Sequence, residues 1–423
     1  MAMKVTVRPS AVKGTVRAIP SKSFAHRQLI CAALAERETK ICCRVISEDI
    51  SATVRCLSAL GASIDFNDGV ISVTPITSPK RGAVLDCGES GSTYRFLSPV
   101  AAVLGAEPTF ILRGKLAERP MAPLWEALER GGISIEGKGS DSVSFSGRLT
   151  AGEFKIPGDV SSQFISGLLM ALPLLEKDSR IKTSGQVESG GYIDMTLDVL
   201  KTFSMKTQVN EGSIEISGTD RFISPGSIAT EGDWSNSAFW LCGAAACGGS
   251  LSCEDLNINS CQGDRAITRV LMEMGAEVIC EENSVRVNAG TLKPVRIDAS
   301  DIPDLVPPIA LMACAAEGET EIFNAGRLRL KESDRLYTVA DTLRRLGAEI
   351  FEEGSSLRII GGRPLAGGEV NSHGDHRIAM MAALASVISL DDIVINGAES
   401  VSKSYPGFFE DLAALGGIVR KEQ

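Results

Sequence analysis

One phrase recurs along this chain at a nearly constant interval, and it limits the possible folds more than any other feature. An apolar-periodic helix ends in Leu-Gly-Ala or a close variant, and a short strand, a tight turn and a second strand follow. The clearest copies are residues 54–73, 267–287 and 339–360; weaker ones are 124–145 and 196–216, and 408–420 is a truncated sixth. The helix-ending positions are Gly61, Gly131, Ser204, Gly275, Gly347 and Gly416, spaced 70, 73, 71, 72 and 69 residues apart. Glycine at that point stops a helix in the left-handed conformation, and Asn-Asp-Gly or Glu-Glu-Gly supplies the following turn. The period exceeds the roughly 20–50 residues of common solenoids. It fits a unit of small sheet plus helices, so the 423 residues are expected to form two halves of three units each. Residues 221–231 (RFISPGSIATE) have the Pro, Gly and Ser content of a crossing segment between halves.

Charge and composition exclude several function classes. Lys and Arg number 43 against 53 Asp and Glu, a formal net charge of −10. A nucleic-acid binder normally carries a basic field, so no nucleic-acid partner is expected. The longest apolar stretches, near 167–175 and 378–390, fall short of the ~20 residues that cross a bilayer, so no membrane association is expected. The first ten residues alternate in polarity and predict a strand, not a signal peptide. Eleven cysteines without a CxxC pair support neither zinc nor a disulfide framework. They are expected to be buried thiols in a reducing cytoplasm. Neither a metal nor an organic cofactor is expected, and nothing points beyond a monomer.

Cations and hydroxyls gather where helices are expected to start. In Pro20-Ser-Lys-Ser, Lys22 and Ser23 fall in a first helical turn, where free backbone N–H groups favour an anion, and Arg27 lies one turn on. Gly88-Glu-Ser-Gly91 offers a glycine-serine turn ahead of another helix, but is not a Walker A loop. Ser161, Ser162 and Gln163 open an apolar helix expected over 165–175, Ser189 lies in a similar loop, and Arg119 precedes a proline-led helix. Further along, Asp304 sits in a Pro-rich turn. Lys331 and Arg335 are four apart with Glu332 and Asp334 near them, a like-charge pair that asks for an anion if helical. His376 and Arg377 open a helix and Lys403 precedes the last one. Cations at helix N-termini oppose the dipole. In an acidic protein, their repetition points to binding of multiply charged small anions, with chemistry by general acid/base groups and charge stabilisation.

Read in order, Pro20-Ser-Lys-Ser…Arg27, Gly88-Glu-Ser-Gly91, Glu118-Arg-Pro120, Ser161-Ser-Gln163, Ile302-Pro-Asp304, Lys331-Glu-Ser-Asp-Arg335, Asp375-His-Arg377 and Lys403 resemble the motif series of the 3-phosphoshikimate 1-carboxyvinyltransferase (EPSP synthase) family. The resemblance spans essentially the whole chain. It implies an α/β fold of two inverse α/β barrel domains, each of three βαβαββ units, with the N-terminal strand returning to the second half. The expected domains are 19–227 and 1–18 plus 228–423, with the active site in the cleft between them.

The resemblance also implies a reaction and its residues. The enolpyruvyl group of phosphoenolpyruvate is transferred to the 5-hydroxyl of shikimate-3-phosphate by addition and elimination, releasing phosphate. The catalytic candidates are Asp304, Glu332 and Lys22. Lys22, Ser23, Arg27, Ser161, Ser162, Gln163, Ser189, Asp304 and Lys331 would contact shikimate-3-phosphate. Lys22, Gly91, Arg119, Gln163, Arg335, Arg377 and Lys403 would contact phosphoenolpyruvate. The chain departs from the family pattern at Glu89, where Asn is usual, at Ser92, where Thr is usual, and at Arg327, where Asn or Glu is expected. A carboxylate at Glu89 must turn away from a phosphate site or pair with a cation such as Arg95. Alternatives are the sister transferase acting on UDP-N-acetylglucosamine, disfavoured by Ser23 and by the absence of Cys near Arg119, and a non-catalytic anion-binding homologue.

Overall fold

The computed structural model describes residues 3–185 and 190–422. They form two compact units, Pro20–Thr230 and Met1–Ile19 with Glu231–Gln423. The strand Ser227–Ala229 pairs in parallel with Thr39–Cys42, so the chain leaves the first unit after that strand, three residues beyond the expected 227.

Among the described residues, six four-stranded sheets carry the repeat, three in each unit. In the unit Pro20–Thr230, one sheet is made of Val84–Gly88, Thr109–Leu112, Ser142–Gly147 and Ile133–Glu136. The first pair is parallel and the other two are antiparallel. A helix, Gly91–Val103, connects the parallel pair, and a second, Ala122–Arg130, leads into the hairpin. That order is βαβαββ.

Two of the six sheets borrow an edge strand from elsewhere in the chain: Ser227–Ala229 in the first, and Gly14–Arg17 beside Leu251–Glu254 in the fourth. The truncated sixth repeat is completed by the N-terminal strand Lys4–Arg8, which pairs antiparallel with both Ile393–Asn396 and Ile418–Glu422. A hairpin missing from the C-terminus is thus made good by the first strand.

The sheets are half-buried, whereas one set of helices is buried almost throughout. Strands such as Lys4–Arg8 and Ser142–Gly147 alternate between buried and accessible residues, as a one-sided sheet must. Six helices start at Lys22, Gly91, Ser162, Trp234, Val306 and His376, and nearly every residue in each is buried. Their starts are 69, 71, 72, 72 and 70 residues apart. Helices apolar on all sides belong in an interior. Each unit therefore has helices inside and sheets outside, which is the inverse α/β arrangement expected.

Local geometry follows the sequence with a few shifts. Asp68 and Gly69 both take positive φ between paired strands, a type I′ hairpin turn. In the second repeat the left-handed residue is Gly132, not Gly131, which remains right-handed as the helix cap. The helix expected over 165–175 runs Ser162–Ala171 and tightens into a 3₁₀ turn at Leu172–Leu174 around Pro173. Not all thiols are buried: Cys42 and Cys280 are exposed. Among the described residues, no helix is long and apolar enough to cross a membrane, and no cluster of His, Cys, Asp and Glu could hold a metal ion.

Candidate active site

The six interior helices share a second property. None has an acidic residue in its first turn, although the chain as a whole is acidic. Outer helices such as Glu48–Leu60 and Phe408–Ala414 do carry acids there. Asp233 and Asp375 cap two of these helices; at the other four no carboxylate caps the start or stands in the first turn, a favourable setting for anions.

In the unit Pro20–Thr230, hydrogen bonds tie three of these helix starts together. Lys22 opens its helix and its ammonium donates to Asp49 Oδ2 at 2.8 Å. His26 Nδ1 meets Thr53 Oγ1 at 2.7 Å, Thr53 meets Thr93 at 2.7 Å, and Thr93 Oγ1 donates to Ser90 Oγ at 2.8 Å. Ser90 is the N-cap of Gly91–Val103. Burial, with Lys22 and Arg27 adding to it, holds the His26 imidazole well below its usual pKa, so the chain of hydroxyls ends on a neutral ring. Gln163 joins the second and third helix starts, accepting from Arg95 Nη1 at 2.7 Å and donating to Ser92 Oγ at 2.8 Å. Ser161 caps its helix by accepting from the Gln163 N–H, and both Ser161 and Ser162 are buried.

Arg119 lies against Gly91. A Cβ on that glycine would sit 2.7 Å from Arg119 Nη1, so only glycine lets the guanidinium rest on the helix start. Glu89 is turned onto Gly114, where a Cβ would meet its carboxyl carbon at 2.7 Å. Arg95 is engaged by Gln163 and by the carbonyl of Pro120. Arg27 is 2% exposed and donates to Thr196 Oγ1, Ser166 Oγ and the carbonyls of Ser23 and Tyr192. It shares a helix with Ser23 as expected, with much of its donor capacity directed inward. Ser189 lies outside the described residues.

In the other unit, the cations surround carboxylates. Asp304, in the 3₁₀ turn Pro303–Leu305, is 3.2 Å from Lys331 Nζ, 2.8 Å from Arg335 Nη1 and 3.2 Å from Arg377 Nη2. Arg335 is 1% exposed and also binds Asp375, by Nε at 2.9 Å and Nη2 at 3.2 Å, and Glu332. Burial works against its charge, yet Asp375, Glu332 and Asp304 together raise its pKa above the ordinary arginine range. Lys331 is the reverse: burial lowers its ammonium despite the pull of Asp304. Asp375 caps the helix His376–Leu384 by accepting from the Arg377 N–H, and accepts from Ser333 Oγ at 3.0 Å. Lys403 Nζ donates to the Gly374 carbonyl at 2.7 Å, at the same helix start.

One expectation needs correction. Lys331 and Arg335 do not share a helix face. Lys331 ends the 3₁₀ turn Gly326–Leu330 in extended backbone, and Asp334 caps a new helix beginning at Arg335. Asp304 neutralises the like charges instead.

The chain matches the family EPSP synthase (3-phosphoshikimate 1-carboxyvinyltransferase) over residues 7–412. It belongs to the EPSP synthase family. The 3-phosphoshikimate 1-carboxyvinyltransferase of Clostridium perfringens is 42% identical over 99% of this chain and 100% of its own. That of Clostridium acetobutylicum is 43% identical over 99% and 98%. Among solved structures, EPSP synthase from Acinetobacter baumannii superposes with a TM-score of 0.83 at 25% identity, covering 100% of both chains. The enolpyruvyl transferase NikO from Streptomyces tendae shares the fold, with a TM-score of 0.79 at 19% identity over 99% and 98%.

The sequence alone passed over Asp49, and named Asp375 only as part of the motif Asp375-His-Arg377, without a role. Asp49 sits in the first turn of an ordinary Ser-capped helix, and Asp375 occupies an N-cap position. Both look like local capping groups until their cationic partners are seen.

Proposed function

We propose that this EPSP synthase family member transfers the enolpyruvyl group of phosphoenolpyruvate to the 5-hydroxyl of shikimate-3-phosphate, in the shikimate pathway. Membership of the family across nearly the full chain carries this reading, and the chemistry of the two units is compatible with it. Two polyanionic substrates need several cations that are already desolvated and oriented, and such preorganised charge is worth more than the same charge in water.

Ser161, Ser162 and Ser189 hold the shikimate phosphate, Ser23 and Arg27 its carboxylate, and Gln163 lies near the ring. Lys22, the Gly91 N–H, Arg119, Gln163 and Lys403 surround the phosphoenolpyruvate phosphate, and Arg335 and Arg377 its carboxylate. Lys331 contacts the shikimate hydroxyls beside Asp304. Asp304 accepts the 5-hydroxyl proton as that oxygen bonds to C2 of the enol, while C3 gains a proton from Glu332 or Lys22. The resulting tetrahedral ketal phosphate loses a C3 proton and expels phosphate, leaving the enolpyruvyl ether. Lys22, paired with Asp49, neutralises the leaving group.

The ion pairs around Asp304 fit this scheme. Asp304 is held by Lys331, Arg335 and Arg377. When the carboxylate of phosphoenolpyruvate takes Arg377, Asp304 gives up that cation and turns to the 5-hydroxyl.

The test is phosphate release from phosphoenolpyruvate with shikimate-3-phosphate, shikimate or UDP-N-acetylglucosamine as acceptor. Release with shikimate-3-phosphate alone, lost in Lys22→Ala and Asp304→Ala, supports the reading. Release with the nucleotide sugar, or tight binding of both substrates without release, overturns it.

A further inference from the structure

A file of buried hydrogen bonds behind the start of Gly91–Val103 has no part in that scheme. It runs from His26, on the helix Lys22–Ala33, to Thr53, on Glu48–Leu60, and then to Thr93 and the N-cap Ser90. His26, Thr53 and Thr93 are fully buried and Ser90 is 1% exposed. The contacts are short: 2.7 Å from His26 Nδ1 to Thr53 Oγ1, 2.7 Å from Thr53 to Thr93, and 2.8 Å from Thr93 to Ser90 Oγ. His26 Nε2 is buried as well and, among the described residues, has no hydrogen-bond partner.

A hydroxyl has one proton, so one known donor in the file fixes the others. Thr93 Oγ1 donates to Ser90 Oγ at 2.8 Å, and its other acceptor, the carbonyl of Asp49, is at 3.5 Å. Either contact uses the Thr93 proton, so Thr53 must donate to Thr93. The Thr53 proton is then used too, and His26 must donate from Nδ1. A neutral imidazole carries one N–H, so Nε2 is a bare lone pair. That agrees with its lack of a partner, since an orphaned buried N–H is the rarer defect. The polarity therefore runs one way, from His26 to Ser90. Ser90 Oγ accepts twice, from the Thr93 hydroxyl and from the Thr93 N–H at 3.3 Å. Among the described residues nothing accepts its own proton, and a buried donor left in that way asks for an acceptor. The next group along the backbone is the Gly91 N–H, with the Arg119 guanidinium lying against Gly91.

We propose that His26 is a positioning residue for the phosphate of phosphoenolpyruvate: its Nδ1–H sets the direction of the file, so that the Ser90 hydroxyl donates to the same phosphate as the Gly91 N–H. Ser90 is then a further ligand of that phosphate, with Thr53 and Thr93 transmitting the order. The inference rests on the placement of the phosphate at Gly91. A reversed file, begun by an Nε2–H ring, would use the Ser90 proton on Thr93 and turn a lone pair toward the anion.

The direction of the file is read by long-range proton–nitrogen NMR of the whole protein, in which His373 and His376 are the only other rings. Nδ1 of His26 is to be the protonated nitrogen, and an Nε2–H ring overturns the proposal. The donation is read by steady-state kinetics of Ser90→Gly, since glycine at an N-cap removes the hydroxyl with little loss of helix stability. KM for phosphoenolpyruvate, and the inhibition constant of inorganic phosphate competing with it, are to rise about tenfold, the low end for a hydrogen bond to a charged group. KM for shikimate-3-phosphate is to stay where it was. An unchanged KM for phosphoenolpyruvate overturns the proposal, as does an equal rise for both substrates.

The part played by His26 is read from His26→Leu and His26→Asn. Leucine leaves neither direction preferred, so the competent file is about half populated and KM for phosphoenolpyruvate is to rise about twofold. Asparagine presents an amide N–H in place of Nδ1–H and is to restore the wild-type value. A KM unmoved by leucine, or a rise that asparagine does not reverse, overturns the proposal. Should His26→Leu fail to fold, the tautomer and Ser90→Gly still decide. Gly91→Ala separates this failure from that of the underlying placement. A raised KM for phosphoenolpyruvate there, with none in Ser90→Gly, strikes the proposal alone, and no rise in either strikes the phosphate's placement at Gly91 with it.

Discussion

Asp375 ties Arg335, Ser333 and the start of the helix His376–Leu384 together, and its removal gives a calculable loss. It is fully buried, accepts from Nε and Nη2 of Arg335 and from Ser333, and caps a helix by accepting from the Arg377 N–H. Breaking a buried ion pair typically costs about 3–5 kcal/mol, because the remaining charge stays desolvated. Arg335 retains Asp304 and Glu332, so the lower end applies. Asp375→Asn, which can keep the cap, is expected to cost about 3 kcal/mol. Asp375→Ala also loses the cap, worth about 1 kcal/mol more. For a unit of this size each kcal/mol lowers Tm by about 2–4 °C, so the alanine variant should melt about 8–16 °C lower. Urea unfolding followed by tryptophan fluorescence reads this directly, since Trp234 and Trp240 are buried in the same unit. Losses below about 1 kcal/mol for both variants would show that the Arg335 cluster behaves like a solvated surface pair, and the reasoning would be wrong.

Other consequences can be measured alongside. Gly91→Ala must displace the Arg119 guanidinium, so KM for phosphoenolpyruvate should rise several-fold, with little change in Tm because Gly91 has ordinary helical backbone. In Gly361→Ala the new methyl would run into the carbonyl oxygens of Ala313, Ala316 and Cys314. Backbone cannot yield as a side chain does, and a loss of about 3 kcal/mol or more in urea unfolding is expected. His26, held below its usual 6.5, takes up a proton on unfolding but not while folded. Stability should therefore fall as pH drops below about 6.5, and its ring NMR signals should not titrate near neutrality.

The repeat was legible because it rests on local rules: a left-handed stop after each outer helix, a two-residue hairpin turn, and apolar runs too dense for a surface helix. These require only neighbours in sequence. The completion of the sixth sheet by Lys4–Arg8 could not be read from the truncated copy at 408–420. Its partner lies almost a whole chain length away, and only the family resemblance pointed to the return. Among the candidate residues, the cations were visible because they stand at the wrong end of a helix dipole. Of their partners, Asp304 and Glu332 were visible and two others were not. Asp49 and Asp375 occupy positions where acids are common for local reasons. The spacing of Lys331 and Arg335 misled, since a cap at Asp334 breaks the helix that the spacing assumed. Glu89 could be resolved only in three dimensions, where Gly114 makes room for it.

The most direct test of the site assignment is a crystal structure of the protein bound to shikimate-3-phosphate and an unreactive analogue of phosphoenolpyruvate. The account predicts the shikimate phosphate on the hydroxyls of Ser161 and Ser162, and the analogue's carboxylate on Arg377 with Asp304 shifted off that guanidinium. Ligands seated away from these helix starts, or an Asp304–Arg377 pair intact beneath a bound analogue, would contradict it.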